Sequence, residues 1–296
     1  MGLSCLDGGE FVEGRAHFDR AFSLYEPLEH RPLGTRFGQD IGVAILSWRA
    51  LALWALGYPD GGRQDTERAL QEARQIGHAA TLLFALTVTW LTQLFCGNFR
   101  DAIAQADEAV AVGGEKGAVF WKGVGMMFKA CASALVGDAA DGAQTITSSI
   151  AFFRSTGATV LLPFIQSCLA RAHAASGEFD DAWQSIDTAT TMLETSGERW
   201  CEAEVHRTAG EIALMLPAPD DTKAQAYFER ALEISRAQQA RSWELRAATS
   251  LARLWRDQGR RAEAQDLLTP IYGWFSEGFD TPALTEGKAL LEELGP

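Results

Sequence analysis

Cysteine is scarce in this chain, and the cysteines that occur are far apart. There are five in 296 residues, and no two form a Cys-x-x-Cys pair. An odd number of separated cysteines does not suit a disulfide framework or a cysteine-ligated zinc site. Apolar residues flank these positions, which are Cys5, Cys96, Cys131, Cys168 and Cys201. The pattern predicts buried thiols in a reducing, cytoplasmic protein.

Positively charged residues are also few. The chain has 26 Lys and Arg against 39 Asp and Glu, which gives a formal net charge of −13. A strongly acidic chain repels the phosphate backbone at long range, so we expect no nucleic-acid partner. Long apolar runs are missing as well. The stretch 79–91 is interrupted by threonine and too short to span a bilayer, so no membrane partner is expected.

Motifs that carry chemistry are not found. A phosphate-binding loop requires Gly-Lys followed by Ser or Thr, but the single Gly-Lys pair, Gly287-Lys288, is followed by Ala289. No His-Glu-x-x-His motif and no Gly-x-Ser-x-Gly motif occurs. The sequence therefore predicts a chain without catalytic residues, without a metal site and without a cofactor.

What the sequence does contain is an internal repeat. Gly57, Gly97, Gly137 and Gly177 are spaced 40 residues apart. A small residue follows each glycine after five residues, and another follows after twelve. These residues are Gly62, Ala102, Gly142 and Ala182, then Ala69, Ala109, Ser149 and Ala189. Such rows predict positions where paired helices cross closely. Gln105 is expected to lie exposed on the same helix as Ala102.

A second glycine row runs in parallel with the first. Its members are Gly77, Gly117, Gly157 and Gly197, and its next equivalent falls near Gln239. Glycine suits the left-handed position just after a helix end. Two short turns in 40 residues leave two helices of about 16 residues, each about 25 Å long. The predicted unit is therefore a helical hairpin.

The turns resemble those of the tetratricopeptide repeat. Gly97-Asn98-Phe99-Arg100-Asp101-Ala102 is followed by Ala109, and Gly177-Glu178-Phe179-Asp180-Asp181-Ala182 is followed by Ala189. The resemblance implies an all-α fold, a right-handed α-solenoid of expanded, about 40-residue tetratricopeptide-like hairpins. We expect a single solenoid over 1–296. Residues 1–30 would form an incomplete first repeat, 31–270 the regular repeats and 271–296 a C-terminal capping segment.

Longer stretches resemble one bacterial family more closely. They include Leu53-Trp54-Ala55-Leu56-Gly57-Tyr58-Pro59-Asp60, Ala240-Arg241-Ser242-Trp243-Glu244-Leu245-Arg246 and Tyr272-Gly273-Trp274-Phe275-Ser276-Glu277-Gly278-Phe279-Asp280-Thr281. The family is the C-terminal repeat region of proteins that join a class III adenylate/guanylate cyclase domain to an ATPase module. The resemblance implies a regulatory or interaction solenoid, since the catalytic domains of that family lie upstream.

In tetratricopeptide solenoids the first helix of each hairpin lines the concave groove. The repeat register places an apolar set and a charged set of side chains there. The apolar set is Phe84, Leu91, Met127 and Phe164, and the charged set is Glu204, Arg207, Glu211, Arg246 and Arg253. Arg207 and Arg253 are expected to be accessible, so that reversing their charges leaves stability nearly unchanged. The alternative is that the apolar set is core and that Arg207 and Glu211 form an ordinary i,i+4 pair.

These observations favour a non-catalytic scaffold that binds a protein or peptide in the groove, or that self-associates. It would serve as the regulatory region of a cyclase/ATPase signalling protein. The alternative is the ligand-sensing solenoid of a bacterial transcriptional regulator. An upstream cyclase or ATPase domain in the reading frame would support the first, and a downstream helix-turn-helix the second.

Overall fold

A computed structural model describes residues 1–135 and 139–295, with the side chains of 139–141 excepted. Gly137 of the first glycine row and Pro296 therefore lie outside the described residues. The described residues form α-helices and one 3₁₀ helix and contain no strand. This confirms the predicted all-α fold class. The α-helices are α1 (Gly2–Asp7), α2 (Phe11–Ser23), α3 (Pro27–His30), α4 (Gly34–Phe37), α5 (Ile41–Ala55), α6 (Pro59–Ile76), α7 (Ala79–Phe95), α8 (Phe99–Glu115), α9 (Val119–Leu135), α10 (Ala139–Ser155), α11 (Leu162–Ala175), α12 (Phe179–Ser196), α13 (Glu202–Met215), α14 (Asp221–Ala237), α15 (Arg241–Asp257), α16 (Arg261–Tyr272) and α17 (Pro282–Leu294).

The chain forms two compact units. Unit 1 comprises Met1–Leu6, Val12–Trp54 and Asp60–Thr159, and unit 2 comprises Asp7–Phe11, Ala55–Pro59 and Val160–Pro296. Unit 1 contains the hairpins α7/α8 and α9/α10. Unit 2 contains α11/α12, α13/α14 and α15/α16, with α17 packed on the last of these. None of the helices in the described ranges is long and apolar enough to cross a membrane.

Each unit has a core built from both helices of its hairpins. In unit 1, Leu46, Leu83 and Leu86 pack with small residues such as Ala69 and Ala109. In unit 2, apolar side chains of α14 to α17 form one cluster that includes Phe228, Leu245, Leu251, Leu268 and Leu284. Burying such side chains stabilises the fold by about 1.5–3 kcal/mol each, relative to leaving them exposed.

Both glycine rows lie at helix ends in the left-handed conformation. The first row falls between the two helices of a hairpin, where Gly57, Gly97, Gly177 and Gly259 have φ of +93°, +80°, +80° and +80°. The second row, Gly77, Gly117, Gly157 and Gly197, falls between hairpins with φ of +66° to +82°. Gln239 takes the same place after α14 with φ +54°. The predicted turn rows are therefore confirmed in the described residues, including the one without glycine.

The turns share one hydrogen-bond pattern. In the turn after α11, Glu178 N–H donates to the His173 carbonyl and Gly177 N–H donates to the Ala174 carbonyl. The same two bonds close the turns after α7, α8, α14 and α15. This is the Schellman motif, which satisfies carbonyls that the helix end leaves unpaired. The 40-residue period thus repeats a single turn geometry.

The small rows lie where paired helices touch. Ala102 and Ala182 are fully buried, as are Ala109 and Ala189. At Gly62 an added Cβ would lie 2.9 Å from the Ala50 carbonyl oxygen of α5, so the close approach needs glycine. The expectation for Gln105 was wrong. Its side chain is 6% exposed, and its Nε2 donates to the Leu86 carbonyl and Thr89 Oγ1, both at 2.7 Å.

Candidate functional site

A chain of charged side chains joins the first helices of three successive hairpins in unit 2. We call it the charged row, and it consists of Arg171 on α11, Glu204, Arg207 and Glu211 on α13, and Arg246 on α15. Arg246 Nη2 donates to Glu204 Oε1 at 2.7 Å, and Arg171 Nη1 donates to Glu211 Oε2 at 3.0 Å. Between them, Arg207 bonds both Glu204 and Glu211. Opposite charges therefore alternate along the row, in the order Arg246, Glu204, Arg207, Glu211 and Arg171.

The centre of the charged row is buried. Glu204 and Arg207 are each 5% exposed, and Arg207 Nη1 also lies 3.3 Å from Ser250 Oγ. Burial alone would raise the pKa of Glu204, but the charges of Arg207 and Arg246 outweigh it and hold that pKa well below its usual range. The pKa of Glu211 is likewise lowered, because Arg207 and Arg171 overcome the effect of burial. Both carboxylates are ionised near neutral pH.

The outer members of the row keep exposed area. The side chains of Arg171, Glu211 and Arg246 are 37%, 28% and 23% exposed. Arg253 lies further along α15, 39% exposed, and its Nη2 bonds Glu286 Oε2 of α17 at 2.7 Å. Glu286 could not be anticipated from the sequence, because no repeat spacing relates α17 to α15.

The structure separates the predicted charged set into two kinds of residue. Glu211, Arg246 and Arg253 have surface that a partner can reach. Glu204 and Arg207 do not, so the expectation that Arg207 is accessible, and that Glu204 lines the groove beside it, was wrong. A guanidinium that bonds two carboxylates inside the helix layer holds that layer together, and it has no free face for a ligand.

The predicted apolar set is mostly interior. Leu91 and Met127 are 0% and 1% exposed in unit 1, and Phe164 is 3% exposed in unit 2. Phe84 alone of the four is half-buried, with its ring edge-on to both Trp48 and Trp121. The burial of Leu91, Met127 and Phe164 agrees with the alternative that the apolar set belongs to the core. The first helices are apolar on more than one face, so these side chains pack inside the helix layer.

A second group of buried carboxyls lies in unit 2, and the sequence did not indicate it. Glu198, 7% exposed, accepts hydrogen bonds from the Leu161 N–H at 2.9 Å and from Trp200 Nε1 at 2.6 Å. Leu161 has φ +71°, a strained conformation for leucine. Burial raises the pKa of Glu198 to about 7 and that of Asp7 to about 6. Glu198 thus ties two inter-hairpin turns together.

One cluster has the composition of a metal site. His173, Glu178 and Asp181 each offer a ligand atom within 4.8 Å of the others. His173 Nδ1 lies 2.6 Å from Glu178 Oε2. The equivalent turn 80 residues earlier has the same contact between neutral groups, from Asn98 Nδ2 to Gln93 Oε1 at 2.8 Å. The recurrence indicates that this contact closes the turn.

Comparison with known proteins agrees with the repeat register. Residues 163–182 and 245–268 match the tetratricopeptide repeat family. Each match runs through a first helix, its glycine turn and the start of the second helix. No curated protein matches the sequence as a whole.

Solved structures share the fold at low sequence identity. The apo form of RapI matches with a TM-score of 0.59 and 11% identity, over 99% of this chain and 96% of RapI. A Rap protein complexed with competence and sporulation factor matches with a TM-score of 0.67 and 11% identity, over 99% of this chain and 78% of that protein. The fold is therefore an α-solenoid of tetratricopeptide-like helical hairpins.

Proposed function

We propose that this chain is a non-catalytic scaffold that binds an acidic segment of a protein or peptide on the first-helix face of unit 2. The contacts to its carboxylates would come from Arg171, Arg246 and Arg253, while Glu211 holds Arg171 in place. The observation that carries the proposal is the charged row. It fixes Arg171 on α11 and Arg246 on α15 while leaving both side chains partly exposed. Arg253, also on α15, is held separately by Glu286.

Charge favours an acidic partner segment. Among the partly exposed members of the charged row and the Arg253–Glu286 pair, three arginines (Arg171, Arg246 and Arg253) face two glutamates (Glu211 and Glu286), in a chain of net charge −13. Guanidinium groups recognise carboxylates with paired, directional hydrogen bonds. A local positive patch on an acidic surface also selects against segments of the wrong charge.

The Rap similarity supports a role in binding. That protein was crystallised complexed with competence and sporulation factor, so a solenoid of this fold accommodates a bound partner. Self-association remains the other binding mode that the sequence suggests. Analytical ultracentrifugation over a range of protein concentrations distinguishes the two, because only self-association is concentration dependent without added partner.

The experiment is an affinity measurement with acidic peptides selected from a random display library. Arg171→Met and Arg253→Met remove partly exposed charge from the proposed face, and Arg230→Met removes a more exposed arginine from the second helix α14. We expect the first two changes together to weaken binding about tenfold at low salt, and Arg230→Met to leave it unchanged. Equal affinity in all variants would overturn the proposed site.

The parent protein is a finer part of the proposal. The sequence resemblance supports a place as the regulatory region of a cytoplasmic nucleotide cyclase/ATPase signalling protein, with a ligand-sensing region of a transcriptional regulator as the alternative. The reading frame on either side of the coding sequence tests this. A cyclase or ATPase domain upstream supports it, and a helix-turn-helix domain downstream favours the alternative.

A further inference from the structure

An open groove lies between α9 and α10 in unit 1, away from the residues discussed above. Its volume is about 550 Å³, within the range of small-molecule sites, which is about 300–1,000 Å³. Nine residues line it: Val119, Lys122, Gly123, Met126, Gln144, Thr145, Ser148, Ser149 and Phe152. All of them belong to one hairpin.

On its α9 side the groove exposes large apolar side chains to solvent. Val119 and Met126 are 64% and 46% exposed, and they lie seven residues apart, so two turns of helix present them to the same side. Gly123 lies between them. An added Cβ there would be 2.3 Å from Cε1 of Phe152, so the glycine lets that ring lie against the α9 backbone. The groove thus has an apolar floor about 10 Å long.

The side on α10 is polar and uncharged. Gln144 and Thr145 are adjacent, and Ser148 follows them about one helical turn later along this wall. The Gln144 amide can donate or accept, and the Ser148 hydroxyl, which donates to the Gln144 carbonyl at 2.8 Å, can accept a hydrogen bond from a ligand. None of the lining residues carries a carboxylate.

Lys122 supplies the one charge in the lining. In the part of the chain that the structure describes it has no ion pair, whereas its neighbours Lys116 and Lys129 are paired with Glu115 and Asp107, each at 2.7 Å. These three lysines are three of the five in the whole sequence. An unpaired ammonium beside exposed apolar side chains is therefore a local exception in an acidic protein.

We propose that the α9/α10 groove binds a small amphipathic organic carboxylate. The carboxylate would pair with Lys122 Nζ, and the apolar body would cover Val119, Met126 and Phe152. Binding would remove exposed apolar surface from water at roughly 25 cal/mol per Å². This site takes a small molecule in unit 1, so it is independent of the peptide site proposed in unit 2.

The test is isothermal titration of the purified chain with octanoate, kept below the concentration at which it forms micelles, and with octanol as the neutral analogue. We expect one saturable octanoate site per chain. Lys122→Met should weaken octanoate binding about fivefold and remove its salt dependence, while leaving octanol binding unchanged. Lys129→Met is the matched control, because it removes an exposed lysine of the same helix outside the groove.

A second pair of variants tests the location without touching charge. Ser148→Phe fills the groove and should abolish binding, whereas Thr147→Phe places the same ring on the exposed side of α10 beside it. Circular dichroism checks that both variants fold. The proposal is overturned if octanoate shows no saturable binding, or if Ser148→Phe and Lys122→Met both bind it as the wild type does.

Discussion

Arg207 donates two parallel hydrogen bonds to Glu204, from Nε to Oε2 at 2.8 Å and from Nη2 to Oε1 at 2.7 Å. The two residues lie three positions apart on α13, and both are almost completely buried. Because Arg246 holds the other side of the same carboxylate, the pair connects α13 to α15. The centre of the charged row is thus a structural element, and its two ends are the parts available for binding.

Removing Arg207 should therefore destabilise the protein. Arg207→Met leaves Glu204 buried with only Arg246 as counter-ion, and we expect a loss of about 3–5 kcal/mol in unfolding free energy. Arg253→Met, at a largely exposed pair, should cost less than about 1 kcal/mol. Chemical denaturation of both variants measures the difference. Similar small losses would mean that the charged row does not support unit 2.

The rows of small residues predict that two positions of α8 differ in their tolerance of a larger side chain. Ala102→Leu adds volume at a fully buried helix contact and should destabilise by about 1–3 kcal/mol. Ala104→Leu makes the same change on the exposed side of the helix and should change stability by less than about 0.5 kcal/mol. Thermal melting of the two variants gives the comparison. Equal tolerance would contradict the assigned helix contacts.

The left-handed turn residues predict effects of opposite sign. Gln239 has φ +54°, so Gln239→Gly should relieve strain and stabilise by about 0.5–1 kcal/mol. Gly177 has φ +80° with open space around its Cα, so Gly177→Ala should cost about 1 kcal/mol through backbone strain alone. Denaturation midpoints report both. The same sign of change for both variants would show that the two turns differ in conformation.

Glu198 and Asp7 should lower stability as pH rises from 5 to 8, while His206, whose pKa burial lowers, acts in the opposite direction in the acidic part of this range. Burial raises the pKa of Glu198 to about 7 and that of Asp7 to about 6, from ordinary values of 4.5 and 3.8. The folded chain therefore keeps protons in this window that the unfolded chain has lost, so the unfolding free energy falls as pH rises, by about 1–3 kcal/mol. Glu204 and Glu211 do not contribute, because their pKa values are lowered and they titrate below the window.

Glu198→Gln should remove most of this pH dependence, because an amide occupies the same site without an ionisable proton. Glu194→Gln, at an exposed position of the preceding helix, is the control and should keep the wild-type slope. Urea denaturation at several pH values measures both variants. An unchanged slope in Glu198→Gln would mean that other groups set the pH response.

The period of the sequence predicted the backbone better than the side-chain environments. Gly97, Gly177 and the small residues after them mark the turns and helix contacts, and even the place of Gln239 follows from the spacing. The same spacing could not show that Gln105 turns inward to bond Leu86, or that Glu198 reaches Leu161 in another turn. The Gln105 contact depends on how the two helices of one hairpin pack, and the Glu198 contact on how two inter-hairpin turns approach each other. A 40-residue repeat encodes neither.

For the charged row, too, the sequence predicted the positions of the residues but not the burial of their side chains. The register placed Glu204, Arg207, Glu211 and Arg246 on neighbouring first helices, and the structure brings these four together. It could not distinguish Arg207, enclosed by two carboxylates, from Arg253, which is exposed beside α17. An exposed arginine and a buried, paired one have the same spacing, and only the packed structure separates them.

The most direct test of the proposed function is photo-cross-linking with a selected acidic peptide. A photoreactive phenylalanine derivative is placed at Arg171 on the first helix α11, or at Arg230 on the second helix α14. Both side chains are partly exposed, so both variants are expected to fold. We expect cross-linking from position 171 that excess unlabelled peptide suppresses, and none from position 230. Cross-linking from position 230 alone would contradict it.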